Sequence, residues 1–314
     1  MFDDKETKYQ ALAGWLSYRL ESWRSHRDQN YVRMWDEYYR LWRGIWLEED
    51  RTRSSEKSRI IAPALQQAVE SAVAELEEAT FGRGKWFDIK DDVLDQDPSD
   101  AEYVRNLLQE DLGKIIVEQN IERSPAEVPI EGTGATTRQL VEYPSIDIKI
   151  EAISPKEFLI DPSANSINEA LGVAHEVIKP RYHVVEGILS GVYRDVPLNG
   201  SYDTVNFGYD PEIKQADESD SVKITEYWGK VPKRFLKASA DKDDFEYTKK
   251  DELVEAVVTI ANDEYILRVE PNLFIMEDRP FISYQHDCVP NKFWGRGICE
   301  KGYNPQKALD AEMR

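Results

Sequence analysis

A chain of 314 residues is long enough for about two ordinary domains. With 41% hydrophobic and 32% charged residues it is neither disordered nor fibrous. Against 40 Lys+Arg stand 60 Asp+Glu, a net charge of −20. That excludes a conventional DNA-binding protein, because affinity for a phosphate backbone comes largely from neutralising cations.

The start, Met1-Phe2-Asp3-Asp4-Lys5-Glu6, is charged and lacks the apolar core of a signal peptide. No later run approaches the ~18 apolar residues of a membrane helix, so synthesis in the cytosol is expected. Leu12, Leu16, Leu20 and Trp23 recur at helical spacing, as do Val32, Trp35, Tyr39, Trp42 and Trp46. Five of the eight tryptophans fall between Trp15 and Trp46. Indole rings can stack on bases, but the stretch from Trp15 to Arg59 holds 10 Lys+Arg and 8 Asp+Glu. With no basic groove beside them, the rings are expected to fill a core or a subunit contact.

A second helix is predicted from about Ile60 to Thr80, with Ile61, Leu65, Val69, Ala72, Val73 and Leu76 as its apolar face. Pro63 fits only in its first turn, and Phe81-Gly82-Arg83-Gly84-Lys85 ends it at a glycine cap. Trp86 to Ile89 reads as a short strand. A third helix starts at Ser99 with a capping box to Glu102 and carries Val104, Leu107, Leu108 and Leu112.

From Gly113 the period changes to two. Lys114 to Glu122 is strand-like, and Ile146, Ile148 and Ile150 alternate with charged residues. The loop between them holds Pro125, Pro129, Gly132 and Gly134, so the pair reads as a long-looped hairpin. Ser154 to Phe158 opens a turn ending at Ile160-Asp161-Pro162, and Ala174 to Ile178 is a further strand. Pro180 to Gly191 forms a short helix through Val184, Val185, Ile188 and Leu189. Residues 195 to 221 form a surface excursion. Strands follow at Val222–Gly229, Ala256–Asn262 and Tyr265–Val269, the last two joined by a tight turn at Asn262-Asp263-Glu264. Lys237 to Glu255 is a solvated loop or short helix, and Phe281 to Tyr284 a final strand. The class is α+β, an N-terminal helical layer packed on a β-rich layer. Asn304 as N-cap and Pro305 at the first position begin a last helix. It reaches Arg314 within barely two turns, too short to bury much, so the chain is expected to be a fragment of a longer one.

Enzyme signatures are absent from the sequence. Gly132-Thr133-Gly134-Ala135-Thr136-Thr137 lacks the lysine of a phosphate loop, and Gly82-Arg83-Gly84-Lys85 lacks its glycine spacing; both read as turns. Asp88, Asp91, Asp92, Asp95 and Asp97 lack the glycine and glutamate of a calcium loop. His286, Cys288 and Cys299 have no Cys-x-x-Cys pair or fourth ligand. Two cysteines cannot build a disulfide framework, so reduced thiols are expected. The four histidines, His26, His175, His183 and His286, lie in no nucleophile elbow. Neither a catalytic residue, a cofactor nor a metal is expected.

Four segments, taken in order, resemble the portal protein of tailed double-stranded DNA bacteriophages. They are Arg59-Ile60-Ile61-Ala62-Pro63 through to Trp86-Phe87; Ile153 to Ala164; Ile224-Thr225-Glu226-Tyr227-Trp228-Gly229-Lys230-Val231; and a closing set. That set is Arg279-Pro280-Phe281, Val289-Pro290-Asn291-Lys292-Phe293-Trp294-Gly295-Arg296-Gly297-Ile298, and Gln306-Lys307-Ala308-Leu309-Asp310. Within it Gly295 and Gly297 permit unusual turns, and Phe293 and Trp294 can anchor them in an apolar pocket. Phe293, Trp294, Gly295, Arg296 and Gly297 are accordingly the candidate junction and assembly residues.

The resemblance implies a non-enzymatic subunit of a homo-oligomeric ring, typically of twelve copies, at one capsid vertex of the virion. Residues 1–112 would be the helical part of a wing, 113–290 its β-rich part, and 291–314 the junction and start of the channel-lining stem helix. The ring would pass double-stranded DNA without sequence specificity during packaging and ejection. It would dock the terminase motor, a tail adaptor and capsid or scaffold proteins, with no membrane involved. An acidic channel wall would then repel phosphates and let DNA slide. The family carries a further helix where Leu112 meets Gly113 directly. Either this member is shorter or residues are missing there, and we favour the second. The rival reading is an enzyme or adaptor whose site lies in residues absent from this chain.

Overall fold

A computed structural model describes residues 4–46, 61–81, 103, 133–140, 148–197, 221–236, 252–272, 274 and 278–313. The expected strands at Trp86–Ile89 and Lys114–Glu122, the helix after Ser99 apart from helical Tyr103, and the excursion over 198–220 lie outside these residues. The chain divides into two units that interleave in sequence: residues 1–36 with 156–279, and residues 37–155 with 280–314.

The first unit is built on a five-stranded antiparallel sheet. Its strands are β3 (Phe158–Ile160), β4 (Gly172–Pro180), β5 (Ser221–Pro232), β6 (Leu253–Ala261) and β7 (Tyr265–Pro271), in spatial order of their numbers. Val, Ile, Thr and aromatic side chains dominate these runs, and such residues fit a pleated, half-buried surface. The predicted turn between β6 and β7 is made by Asn262 (φ 51°) and Asp263 (φ 57°), two residue types that tolerate the left-handed region.

Helix α1 (Asp4–Arg27) covers one face of this sheet. Leu12, Leu16, Leu20 and Trp23 pack on Ala174, Tyr227, Val231, Val258 and Ile260. Successive strand residues point to opposite faces, so Val222 and Ile224 of β5 face the other way. They pack under α4 (Arg181–Leu189), which contributes Val184 and Ile188 and is followed by Gly191 at φ 78°. The segment Ile224–Val231, singled out in the sequence, is the middle of the central strand.

Two glycines set the depth of that strand. A Cβ on Gly172 would lie 2.4 Å from the Tyr227 hydroxyl oxygen, and one on Gly229 would lie 2.4 Å from the Gly172 Cα. Tyr227 uses the space: its ring stacks on Trp23 at 6.1 Å, and its hydroxyl reaches the Lys230 and Leu171 carbonyls. Burial pushes its phenol well above the usual range. Arg279, also buried, donates to the Ile167 carbonyl and, at 2.8 Å, to Glu255.

The aromatic cluster of the N-terminal helices is packing material. Trp23 and Trp35 are buried, and Trp15 lies between Phe235 and Arg19. After α1, five residues, Asp28–Val32, widen into a π-helical turn before α2 (Arg33–Trp42). Trp46 lies beyond the end of α2 and does not extend its stripe.

The second unit holds a three-stranded antiparallel sheet of β1 (Thr133–Leu140), β2 (Ile148–Ile153) and β8 (Phe281–Gln285), ordered β2-β1-β8. Two expectations change here. Among the described residues the Ile148–Ile150 strand pairs with Thr133–Leu140, part of the expected loop, with Thr137 opposite Glu151; Lys114–Glu122, its expected partner, lies outside them. The glycine-containing run read as a turn, Thr133 to Thr137, is also paired with β8. Its threonines and alanine are compatible with a ladder, and pairing on both edges outweighs the local turn signal of Gly134. The unit also holds α3 (Ala64–Phe81) and α6 (Ile298–Met313). The short helix α5 (Lys233–Leu236) belongs to the first unit.

Candidate functional site

The candidate site is the junction formed in the second unit by residues 285–297, α6 and the start of α3. It begins where β8 ends. Gln285 donates its side-chain amide to the Phe293 carbonyl, and Asp287 and Arg296 exchange backbone hydrogen bonds of 3.2 and 3.0 Å. The strap between them turns through Asn291 at φ 60°. Described glycines with positive φ are Gly44 and Gly191, so the left-handed residue of this turn is the asparagine rather than Gly295 or Gly297.

Phe293 and Trp294 are 4% and 7% exposed. Their rings meet edge to face, 5.1 Å apart with 80° between planes, a favoured geometry for two aromatic quadrupoles. Arg296 is half exposed and pairs with Glu300 one turn into α6 at 3.0 Å. Lys301 pairs with Asp287, and that bond holds the Asp287 carboxyl below its usual range.

Helix α6 starts at Ile298, six residues before the expected Asn304 cap, and Pro305 lies inside it. An interior proline removes one helical hydrogen bond. Tertiary contacts outweigh this loss: Cys299 is fully buried, and the Glu300 and Lys301 pairs tie the first turn to the strap.

Farther along α6, on the face of Cys299, are two buried polar residues one turn apart, Gln306 (3% exposed) and Asp310 (6%). They close the start of α3. Its first helical hydrogen bond runs from Gln67 N–H to the Pro63 carbonyl, so Pro63 is the N-cap. Proline has no side-chain acceptor for the unpaired N–H groups of the first turn. Gln306 Oε1 accepts from Leu65 N–H at 3.2 Å, and Asp310 Oδ1 accepts from Ala62 N–H at 3.0 Å. Gln306 Nε2 donates to the Ala62 carbonyl at 2.7 Å and to Asp310 Oδ1 at 3.0 Å. Helix α3 is thus capped by side chains more than 240 residues away in sequence. Close approach is possible because Gly302 faces Leu65; a Cβ there would meet Leu65 Cδ1 at 2.6 Å.

A third contact joins α2 to α6. Glu37 accepts two hydrogen bonds from Arg40, each 2.8 Å, and pairs with Lys307 at 3.2 Å. Tyr303 donates to Glu37 at 3.3 Å, and its ring meets Tyr38 edge to face. Burial alone would raise the Glu37 carboxyl, but Arg40 and Lys307 hold it below the usual range. Their contribution to stability is therefore present at neutral pH and lost as the pH falls through the carboxylate range. Burial, with Glu300 nearby, pushes the Tyr38 phenol up to about 12.

Structure thus brings together two segments that the sequence singled out separately, Ile61–Pro63 and Gln306–Asp310. Gln306, Asp310, Gly302 and Glu37 were not among the expected junction residues. The available signal was a helix that opens at Ala62-Pro63 with no capping side chain of its own. Cys288 is exposed and Cys299 buried. Among the described residues no group of His, Cys, Asp and Glu is placed to hold a metal. The acidic run Asp88–Asp97 and the segment Gly82–Lys85 lie outside them.

The phage SU10 portal protein family model matches residues 83–311, well over half of the chain. The chain belongs to the phage SU10 portal protein family. No curated protein matches it. As a phage portal protein it is a structural component, a homo-oligomeric ring of the phage head at a capsid vertex. Among the described residues no helix is long and apolar enough to cross a membrane.

Capping from a distance has a measurable consequence for such a subunit. Gln306→Ala is expected to cost about 2 kcal/mol, one lost cap plus one buried backbone group left unpaired. Asp310→Asn keeps the acceptor for Ala62 and is expected to cost less than about 1 kcal/mol. Urea unfolding of both variants checks this. Equal losses would mean that these side chains do not cap α3.

Proposed function

We propose that this chain is the wing, junction and beginning of the stem of a twelve-subunit portal, the channel through which DNA enters and leaves the capsid. Residues 1–112 and 113–290 form the wing, and residues 291–314 turn the chain into the channel-lining helix. The observation that carries this reading is the family match over residues 83–311. The junction geometry supports it: Phe293 and Trp294 anchor the turn, and the Gln306–Asp310 clasp holds α6 to α3. A helix so held is a rigid support for a stem.

The charge fits the same role. A net −20 gives no electrostatic grip on phosphates, so DNA driven by a terminase motor would slide past the wall without sticking. Capsid or scaffold proteins would hold the ring at the vertex, and a tail adaptor would dock once packaging ends.

Mass photometry and negative-stain imaging of the full-length protein test the assembly. Rings of about twelve copies support the reading, and a monomer at high concentration overturns it. DNA titration of the rings tests the sliding. Weak, strongly salt-dependent binding is expected; tight binding that ignores salt overturns it.

A further inference from the structure

Helix α6 changes the character of its anchoring part-way along. Up to Tyr303 it is held by side-chain packing. Phe293 and Trp294 fix the strap that leads into it, Cys299 is fully buried, Gly302 lies against Leu65, and the Tyr303 ring meets Tyr38 edge to face. From Asn304 to Met313 only Gln306 and Asp310 are buried, and both are polar. Leu309 and Met313 are 36% and 43% exposed. A helix normally docks through an apolar stripe, and this arm has no apolar side chain among its buried residues.

Opening the arm therefore uncovers little apolar surface. On α3 the clasp meets backbone groups of Ala62 and Leu65, whereas the Leu65 side chain lies against Gly302, before the arm. The released groups pass to water, which offsets most of each hydrogen bond. The remaining link, Lys307 to Glu37, starts from a half-exposed ammonium and is a weak contact of the surface kind.

The point of change coincides with a local helix start. Pro305 has no N–H to give the Lys301 carbonyl, so the ladder of α6 is one bond short there. Asparagine favours the N-cap position and proline the one after it. A helix begun at Asn304 loses nothing to the proline and gains a side-chain cap. Asn304 and Pro305 are both exposed, so packing commits neither of them to the continuous form. What holds that form together is the clasp on α3.

We propose that α6 has two states: continuous while the Gln306–Asp310 clasp is closed, and broken at Asn304–Pro305 when it opens, the arm then moving as a separate helix capped by Asn304. In the portal reading above, the arm begins the stem, so the break lets the channel wall tilt while the junction stays fixed. That role rests on the portal reading, and the two states do not. Hydrogen exchange of the full-length protein, resolved to single amides by mass spectrometry, is the test. The closed clasp holds the Ala62 and Leu65 N–H groups, and the strap holds those of Asp287 and Arg296. Ala62 and Leu65 should exchange through the local opening, at least about tenfold faster than the strap pair. Asn304→Ala removes the cap of the broken state and should slow Ala62 and Leu65 at least about fivefold, with the strap unchanged. Asn304→Gly keeps most of the capping and weakens the continuous helix, so it should speed them. Ala62 and Leu65 amides that exchange in step with the strap, or that ignore both substitutions, would overturn the break. Wild-type protein that forms no ring would instead overturn the portal reading alone.

Discussion

Trp294→Ala is expected to lower the stability of the subunit by about 3–5 kcal/mol, the usual cost of emptying a buried aromatic site. Trp294 is 7% exposed and Phe293 4%, their rings in edge-to-face contact. Truncation removes the burial of a large ring, the aromatic pair and the packing that fixes the strap between β8 and α6. Ring yield should fall as a consequence of the folding defect rather than through loss of a contact between copies. Thermal unfolding of the subunit, with ring counting in parallel, separates the two. Trp294→Phe should recover most of both. A Trp294→Ala subunit that melts like wild type would show that the strap is held by its backbone bonds alone.

Removing the Glu176 carboxylate is expected to cost a similar amount, about 3–5 kcal/mol, because it takes away the buried acid that pairs with Arg24 and lies beside the buried cations Arg27 and Lys223. Glu176 lies on β4, 6% exposed. Arg24 donates to both of its carboxylate oxygens, Arg27 lies 3.7 Å away and Lys223 4.0 Å away. Arg27 and Lys223 are themselves 5% and 4% exposed. Asp263, in the β6–β7 turn, pairs with both Arg24 and Lys223. Burial alone would lower the affinity of Arg24 for its proton, but Glu176, Asp263 and Glu21 outweigh it and raise the group above its ordinary value. Arg24 therefore stays charged at any working pH.

With Glu176→Ala, the three cations share the more exposed Glu21, Asp28 and Asp263, and the C-terminal end of α1 should detach from the sheet. Trp23 lies one turn before Arg27, stacked on Tyr227, so its fluorescence reports the event. Urea unfolding should show the loss, with Glu176→Gln intermediate because the amide keeps one acceptor. A loss below about 1 kcal/mol for Glu176→Ala would mean that water already satisfies the network.

Local pattern was enough to place four strands of the larger sheet, β4 to β7, and the helices α1, α3 and α4, whereas Phe158–Ile160, read as part of a turn, is the edge strand β3. Their signals are periodicities, two for a strand with one face on a core and 3.6 for a helix, and these are written into consecutive residues. The turn at Asn262–Asp263 was legible for the same reason, since left-handed tolerance belongs to the residue type. Pairing was less legible. Thr133–Leu140 carries a glycine and weak alternation, and its strand character comes from two neighbours, one of them more than 140 residues away. The start of α6 was misplaced because Asn304-Pro305 is a good local opening for a helix, while the contacts that begin it earlier, at Asp287 and around Cys299, are tertiary.

Composition alone determined that this protein is strongly acidic, and motif order alone pointed to the portal family. Which side chains hold the junction was decided only by the tertiary structure. Gln306 and Asp310 look like ordinary surface residues of a helix until α3 arrives without a cap of its own. Polar groups of this kind take their meaning from the backbone donors they meet, and the sequence does not say which distant helix will lack them.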